Sequence, residues 1–400
     1  MTLKLRLSGT FIGIAFFALV SAKVNAQQTS EEMINLLISK NVITQQEADS
    51  VRAVIAIKAQ DDKAKQKKFN ITSGKALTLN GYTQVRFQSL QEPTKKDGFD
   101  IRRARLDLKG AITEKWDYRM QLDFASSPKI LDATIGFRFG DYLRITAGQF
   151  KVPLSMENLT ASNKLESVDR SQVVEALVAR SKDVIGNHNG RDIGLQLSGS
   201  FIKIDDRFLI DYAVGVFNGT GINPTALKSS KDFAWRDSYV SIVDNNEAKD
   251  FAGRLVFHPI SGLDIGGSYY NGYDIWSPSK KDTVAKSQVR TRIGGELSYT
   301  MNNLSIKGEY IQGRDAKTDR SGWYAQAGYY FIPKKFQALL KYDTYDTDLD
   351  KPKNISTNYV TCLSYYFNDF TRLQASYTYR DEEGTKINND VIALQLQIGF

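Results

Sequence analysis

The sequence predicts an all-β fold: a closed antiparallel transmembrane β-barrel of sixteen strands, preceded by a short N-terminal helical segment. Three observations indicate this fold. From Leu77 onward apolar and polar residues alternate with a period of two, long polar connections alternate with tight turns, and the last alternating segment ends on Phe400. Because neighbouring side chains of a strand point to opposite faces, the alternation gives each strand one apolar and one polar face.

The alternating pattern divides into segments of roughly 9 to 14 residues, close to the ~10 residues with which a strand crosses the outer membrane. The predicted strands are 77–88, 99–112, 115–125, 130–139, 142–150, 191–203, 206–218, 250–258, 262–274, 288–300, 303–313, 321–332, 335–346, 355–367, 370–380 and 388–400. Tight turns follow the even-numbered strands. Longer polar connections follow the odd-numbered ones, above all near 151–190 and 219–249. Long loops at one rim of the barrel and short turns at the other are typical of outer-membrane barrels.

The alternative all-β architecture is a soluble sandwich, in which the apolar faces would pack against one another. A domain of that kind has roughly 100 residues, so a longer chain should divide into modules joined by linkers. No linker is visible after residue 77. In a barrel the apolar faces meet lipid and the polar faces line water. In the third predicted strand, for example, the residues of one face are all apolar: Trp116, Tyr118, Met120, Leu122 and Phe124.

The N-terminus predicts export from the cytoplasm. A basic stretch with Lys4 and Arg6 precedes an apolar run at 10–20, and small residues precede Gln27. These features predict a signal peptide of residues 1–26, cleaved after Ala26. The alternative, a retained anchor, would need about 20 apolar residues. Removal of the peptide lowers the net charge from +8 to +5 because three basic residues leave, and this excess is too small to predict nucleic-acid binding.

Residues 27–68 are predicted to form a periplasmic helical, coiled-coil-like segment and a linker. Apolar residues there fall largely at helical spacings, Thr44 with Glu47 forms a capping-box pattern, and 61–68 is almost wholly polar. Two interpretations stay open. The helices pair with copies of themselves or with another envelope component, or the segment is a loosely ordered spacer.

The residues that carry chemistry do not predict an active site. His188 and His258 are the only histidines and Cys362 is the only cysteine, so neither a zinc cluster nor an internal disulfide is predicted. The sequence contains no GxSxG, P-loop or HExxH motif. It therefore predicts no metal, no cofactor and no enzyme, while a barrel enzyme with scattered catalytic residues remains an alternative.

The polar faces of the first five strands carry more basic than acidic groups. Guanidinium forks donate two hydrogen bonds to an oxyanion and stay charged, and rings of Arg and Lys select anions in pores. The alternative is that these groups pair with wall aspartates and merely hydrate a wide channel. The predicted pore-lining, anion-binding residues of these strands are Arg103, Arg105, Lys109, Arg119, Arg138 and Arg144.

The connection at about 151–190 is predicted to fold into the barrel. It is far longer than the roughly 12 to 15 residues beyond which loops are usually functional or disordered. Its many apolar residues need a partner, and Val173 to Ala179 can form a short helix. Folded inward, the loop would present some of its basic groups to solutes, while acids of the same loop pair with the others. The basic groups are Lys151, Lys164, Arg170, Arg180, Lys182 and Arg191, and those predicted to bind anions are Lys151, Arg170, Arg180 and Arg191. The alternative is an outward cap that touches neighbouring subunits.

Three stretches resemble the phosphate-selective porin O and P family: Gly98 to Gly110 (GFDIRRARLDLKG), Gly148 to Glu157 (GQFKVPLSME) and Gly190 to Leu197 (GRDIGLQL). The preceding coiled-coil-like segment resembles members from Bacteroidetes-type bacteria. The resemblance implies a homotrimer of sixteen-stranded barrels. It also implies that each barrel has its own pore, with a ladder of arginines on the wall and lysines at the constriction.

Together these features predict an outer-membrane porin of a Gram-negative bacterium that passes small anions, such as phosphate, by diffusion. The expected partners are small anionic solutes, outer-membrane lipid, the barrel-insertion machinery through Phe400, and two further copies of the chain. A non-channel alternative is a structural or adhesin-type barrel that binds partners through its long loops.

Overall fold

The computed structural model describes residues 38–40, 47–48, 77–92, 96–125, 128–178, 180, 183, 190–219, 248–276 and 286–400. The chain divides into two units, residues 1–68 and 69–400. In the first unit the described residues Ile38, Ser39, Glu47 and Ala48 are helical. The predicted signal peptide and most of the predicted helical segment lie outside the described residues. None of the helices in the described ranges combines the length and the apolar composition that crossing a membrane requires.

The second unit is a single closed antiparallel barrel of sixteen strands, as the sequence predicted. Each strand pairs with the next along the chain, and the last pairs with the first. The strands are β1 (Leu77–Leu90), β2 (Gly98–Ala111), β3 (Trp116–Asp123), β4 (Lys129–Arg138), β5 (Arg144–Lys151), β6 (Arg191–Ile204), β7 (Arg207–Phe217), β8 (Asp250–Phe257), β9 (Leu263–Trp276), β10 (Lys286–Met301), β11 (Leu304–Asp315), β12 (Thr318–Ile332), β13 (Phe336–Asp346), β14 (Ile355–Tyr366), β15 (Thr371–Glu382) and β16 (Val391–Gly399).

The two faces of the wall differ as the alternation predicts. Large apolar side chains such as Ile293, Leu340 and Ile398 are more than half exposed on the outer face, while inward residues such as Gln84 and Gln395 are almost fully buried. In a closed sheet the enclosed face is the lumen, so the buried polar side chains are those that point inward. The barrel therefore has its apolar surface outside and its polar contacts inside.

Most connections follow the predicted alternation, but those after β3 and β11 do not. The five residues 124–128 between β3 and β4 equal the lengths of the β4–β5 and β8–β9 turns. The strands β11 and β12 are joined by a two-residue turn at Ala316 and Lys317, where the sequence predicted a longer polar connection at 314–320. Ion pairs extend the hairpin: Arg314 Nη2 lies 2.6 Å from Asp319, and Asp315 is buried between two arginines. Ala316 turns the chain with a φ of 56°. The prediction was wrong there because cross-strand charge pairing makes polar residues regular strand residues.

The seam between β1 and β16 closes the sheet. The amide of Phe400 donates to the carbonyl of Gly81 (3.0 Å), and the amide of Gly81 donates to the carbonyl of Phe400 (3.2 Å). A Cβ atom at Gly81 would lie 2.5 Å from the Phe400 ring and 2.9 Å from the backbone oxygen of Arg105. Glycine at this position is what lets the terminal ring lie against β1.

Gly81→Val should hinder closure, because a side chain there must displace both the Phe400 ring and the β2 backbone, at a cost of about 1–3 kcal/mol for overpacking. Gly295→Val is the matched control, since a Cβ at that outward glycine of β10 meets no atom within 4 Å. The measurement is the fraction of protein that shows the heat-modifiable mobility of a folded barrel on gels. Equal folded fractions for the two variants would contradict this account of the seam.

Candidate functional site in the barrel lumen

The connection between β5 and β6 carries the short elements of the lumen. They are the helix α1 (Met156–Leu159), a 3-10 turn (Ser162–Lys164) and the helix α2 (Gln172–Leu177). The helix α2 overlaps the stretch from Val173 to Ala179 where the sequence predicted helical turns and begins one residue before it. It packs against β11, β12 and β13. We refer to residues 152–190 as the lumen loop.

One stretch of the lumen loop is held by side chains of the inner wall. Four loop carbonyl groups accept hydrogen bonds from Gln84 on β1, Gln397 on β16, and Arg372 and Gln374 on β15. The accepting carbonyls belong to Ser162 (3.5 Å), Asn163 (3.3 Å), Leu165 (2.8 Å) and Glu166 (3.0 Å) respectively. Since all four donors point inward, this stretch lies against the lumen side of the seam.

A second segment of the wall, from β10 to β13, holds α1, mainly through carboxylates. The amide of Met156 donates to both Glu296 and Glu309 (3.0 Å each), and the amide of Glu157 donates to Glu309 (2.6 Å). Lys341 on β13 lies 2.7 Å from the Glu157 carboxylate, and both side chains are almost fully buried. These acids satisfy amide donors that have no intrahelical partner. The loop is thus bonded to two segments of the wall, β15 to β1 at the seam and β10 to β13.

Apolar packing closes the β5 to β13 side of the lumen. Val173, Val174 and Leu177 of α2 are fully buried and belong to one cluster with wall residues that include Phe217 and Ile311. Burial of a side chain of this size stabilises a fold by roughly 1.5–3 kcal/mol. This packing fixes α2 and leaves open space elsewhere.

That open space is a cavity of about 250 Å³ between the lumen loop and strands β1, β2 and β13 to β16. Its wall is polar and carries more basic than acidic groups. The basic lining residues are Arg86, Arg102, Arg170, Lys341 and Arg380. The acidic ones are Asp169, Glu175 and Asp343. We refer to this space as the basic cavity.

Seven of the ten predicted anion-binding residues form a chain of electrostatic neighbours inside the barrel, and one of them, Arg170, lines the basic cavity. The seven are Arg103, Arg105, Arg119, Lys151, Arg170, Arg180 and Arg191. Several have fixed partners. Arg191 bonds Asp132 (2.6 Å), Arg105 bonds Asp123 (2.9 Å), and Arg119 bonds Asp107 (2.8 Å). Much of the basic charge of the wall is therefore paired across strands.

The basic groups supplied by the loop and its flanks mainly bond to the loop itself. Lys151 donates to three carbonyls at the end of α1 (2.6 to 3.1 Å), so all three N–H donors of its ammonium group are used. Arg170 donates to the carbonyls of Glu157 and Thr160, and Arg180 to Asn158. Of these three, Arg170 also lines the basic cavity.

The other three predicted residues lie towards the rim of tight turns. Lys109 is half exposed and lies 3.2 Å from Asp107. Arg144 bonds Asp117 (2.5 Å) and stands opposite the exposed Arg138 in the β4–β5 register. The structure does not bring these three residues to the basic cavity.

Arg102 is a cavity residue that strict alternation missed. A β-bulge at Gln84 and Val85 shifts the register with β2, so Gln84 faces Arg103 whereas Val85 faces Ile101. Arg102 therefore reaches Asp169 in the lumen (2.8 Å), while Arg103 bonds the inward Gln84 (2.8 Å). A bulge places two residues of one strand opposite one of its partner. The signal in the sequence is the pair of adjacent arginines inside a strand.

Asp169 is the loop acid that approaches the arginines of β1 and β2. Its enclosed position inside the barrel would by itself raise the pKa of Asp169, although the side chain is half exposed to the cavity, but Arg102, Arg86 and Arg103 outweigh this effect and hold the pKa below its usual range. The carboxyl is therefore ionised at any pH above its ordinary value of about 4. It keeps one negative charge in the basic cavity under physiological conditions.

Sequence comparison shows which family this architecture belongs to. The family model described as phosphate-selective porin O and P matches residues 78–400, which is the barrel except for its first residue. The chain belongs to this porin family. It is therefore an outer-membrane porin with the sixteen-stranded barrel described above. Comparison with curated proteins finds no significant match.

Solved structures of similar fold include OmpF of Salmonella typhi and OmpT of Vibrio cholerae. Salmonella typhi OmpF in complex with daunomycin is 14% identical, with a TM-score of 0.56 over 83% of this chain and 100% of that one. In-vitro folded OmpT of Vibrio cholerae is 12% identical, with a TM-score of 0.56 over 83% and 100%. Its trimer form is 9% identical, with a TM-score of 0.52 over 82% and 99%. At these identities the likeness shows the fold alone.

Lys341→Met should destabilise the protein, because it leaves the buried Glu157 carboxylate without its cation, which typically costs about 3–5 kcal/mol. The double variant Lys341→Met with Glu157→Gln should recover most of that loss. The measurement is the thermal unfolding midpoint in detergent. Lys351→Met is the control, since its pair with Asp348 lies at the surface and such pairs contribute at most about 1 kcal/mol. A drop no larger than that of the control would contradict the anchoring role of the pair.

Proposed function

We propose that this porin passes small anions, phosphate among them, through the basic cavity. The observation that carries the proposal is the lining of that cavity, where five basic side chains outnumber three acidic ones. A hydrated oxyanion fits a space of about 250 Å³. Guanidinium groups bind phosphate-like anions through paired hydrogen bonds, and a wall with excess positive charge disfavours cations. The description of the family as phosphate-selective also supports the passage of anions.

Arg380 supports the proposal most directly. It lines the basic cavity, and among the described residues its guanidinium has no ion-pair partner. An arginine that is not committed to the wall keeps its donors for a solute. Arg86 and Arg102, which also line the cavity, do bond carboxylates, so the site offers graded rather than uniform binding strength. Such a graded path lets an anion enter and leave, as conduction requires.

Three further features belong to the same proposal. We propose that the porin is a homotrimer and that its N-terminal segment, after removal of residues 1–26, lies in the periplasm. We also propose that the barrel has no enzymatic activity. The lumen loop would act as the constriction of each pore. The alternative of partner binding through long loops concerns mainly 220–247, which lie outside the described residues.

Charge selectivity tests the proposal. Arg380→Glu changes the charge of the basic cavity by two units, and its field acts over a Debye length of about 8 Å at physiological salt. The reversal potential of planar-bilayer currents in a potassium chloride gradient should therefore shift towards cation preference. Lys386→Glu makes the same charge change in the exposed β15–β16 connection and should shift it much less. Equal shifts of the reversal potential in the two variants would contradict the proposal that solutes pass through the basic cavity.

The role of the lumen loop as the constriction has its own test. Deletion of residues 160–180 removes the stretch that bonds the seam and α2 but none of the strands. Single-channel conductance should rise, because the part of the lumen that this stretch fills becomes water. Heat-modifiable mobility on gels checks that the shortened barrel still folds. A folded barrel of unchanged conductance would show that the loop does not narrow the pore.

A further inference from the structure

A carboxylate of the lumen loop binds the same arginines that line the basic cavity. Arg102 Nη2 donates to Asp169 Oδ1 at 2.8 Å, and Arg86 Nη1 lies 3.5 Å from the same oxygen. Arg103 and Arg380 are within electrostatic reach. Asp169 therefore stands where four guanidinium groups of the barrel wall converge.

The position of Asp169 is that of a bound anion. Its carboxylate has the planar geometry that a guanidinium fork accepts, and phosphate oxygens are recognised by the same bonds. The Asp169 side chain is about half exposed (47%) and itself lines the basic cavity. A solute anion that enters this cavity meets arginines that already hold an anion belonging to the protein.

Asp100 shows by contrast what a fixed wall carboxylate does. It bonds Arg86 through two oxygens (3.0 and 2.5 Å), and β1–β2 pairing places the two residues directly opposite each other. Backbone hydrogen bonds therefore hold Asp100 against Arg86. Asp169 belongs to the lumen loop, in the stretch between Ser167 and Ser171, and is not part of the sheet. Rotation of its side chain can therefore free Arg102 without breaking a strand pair.

We propose that Asp169 is a tethered competitor that releases oxyanions from the arginines of the basic cavity. This inference rests on the proposed anion-conducting function. A solute oxyanion binds by displacing the Asp169 carboxylate from Arg102 and Arg86, and the returning carboxylate expels the solute. Because the tether keeps a carboxylate at millimolar or higher effective concentration, the arginines attract anions without trapping them. Asp169 thereby sets the dwell time of the solute.

The test is phosphate binding to the purified full-length protein in detergent, measured by calorimetry. Asp169→Asn should lower the Kd of phosphate about fivefold, the factor that corresponds to an ion pair of about 1 kcal/mol. Asp97→Asn is the control for charge alone. It removes one carboxylate at the rim, where Asp97 bonds Ser89 and the Leu90 amide, and should leave the Kd nearly unchanged.

Arg102→Gln separates competition from general electrostatics. If Asp169 competes at Arg102, the fivefold effect of Asp169→Asn should largely disappear in the Arg102→Gln background, as a double-mutant cycle reports. An equally large effect with and without Arg102 would overturn the inference. So would an unchanged or higher Kd in Asp169→Asn, or the absence of phosphate binding to both wild type and variant.

Bilayer recording keeps the inference distinct from the proposed function. In Asp169→Asn, phosphate-induced interruptions of the chloride current should last about five times longer, in step with the change in Kd. A wild-type pore without anion preference would contradict the proposed function. The calorimetric double-mutant cycle would still show whether Asp169 and phosphate compete for Arg102. Interruptions of unchanged length in a variant that binds phosphate more tightly would overturn the link between Asp169 and release.

Discussion

Backbone pairing in lipid is the constraint on which the structure depends. The hydrocarbon region offers no hydrogen-bond partner, so every strand must have two neighbours and the sheet must close. The reciprocal bonds between Gly81 and Phe400, together with the register from Tyr82–Gly399 to Leu90–Val391, meet that requirement at the seam. Gly81 and Phe400 therefore close the sheet together, because the missing side chain at Gly81 leaves the space that the Phe400 ring occupies.

Because the sheet is closed and its apolar face meets lipid, the polar face must line the lumen. The lumen loop bonds to the polar side chains of that face. The loop is bonded by wall amides and arginines near the seam and by wall carboxylates in the segment from β10 to β13, while α2 packs on apolar residues. Each anchor satisfies buried polar groups that would otherwise cost free energy. The uneven filling leaves the basic cavity on one side of the barrel, so the position of that cavity follows from where the loop packs.

The fold was predictable because a period-two pattern that continues over sixteen strands without a linker is compatible with few folds besides a closed barrel. The lining of the site was predictable only in part. Alternation places Arg103 and Arg105 on the inner face, but neither of them lines the basic cavity. Arg102, which does line it, depends on a bulge, and bulges are set by pairing between strands rather than by the pattern within one. Lys151 has the charge of an anion ligand, yet its ammonium is used by loop carbonyls that only the folded loop brings near. Paired charges also made the β11–β12 turn look like a longer connection.

The bonds from the lumen loop to Gln84, Gln397, Arg372 and Gln374 lie across the β1–β16 seam and the adjoining strand. The loop thus crosses the inner side of the junction at which the first strand of the barrel pairs with the last. Pulling β1 away from β16 would break side-chain bonds to the loop as well as the ladder between the strands. Resistance of the wall to separation of β1 from β16 and the position of the loop in the lumen therefore depend on the same four side chains, so weakening one weakens the other.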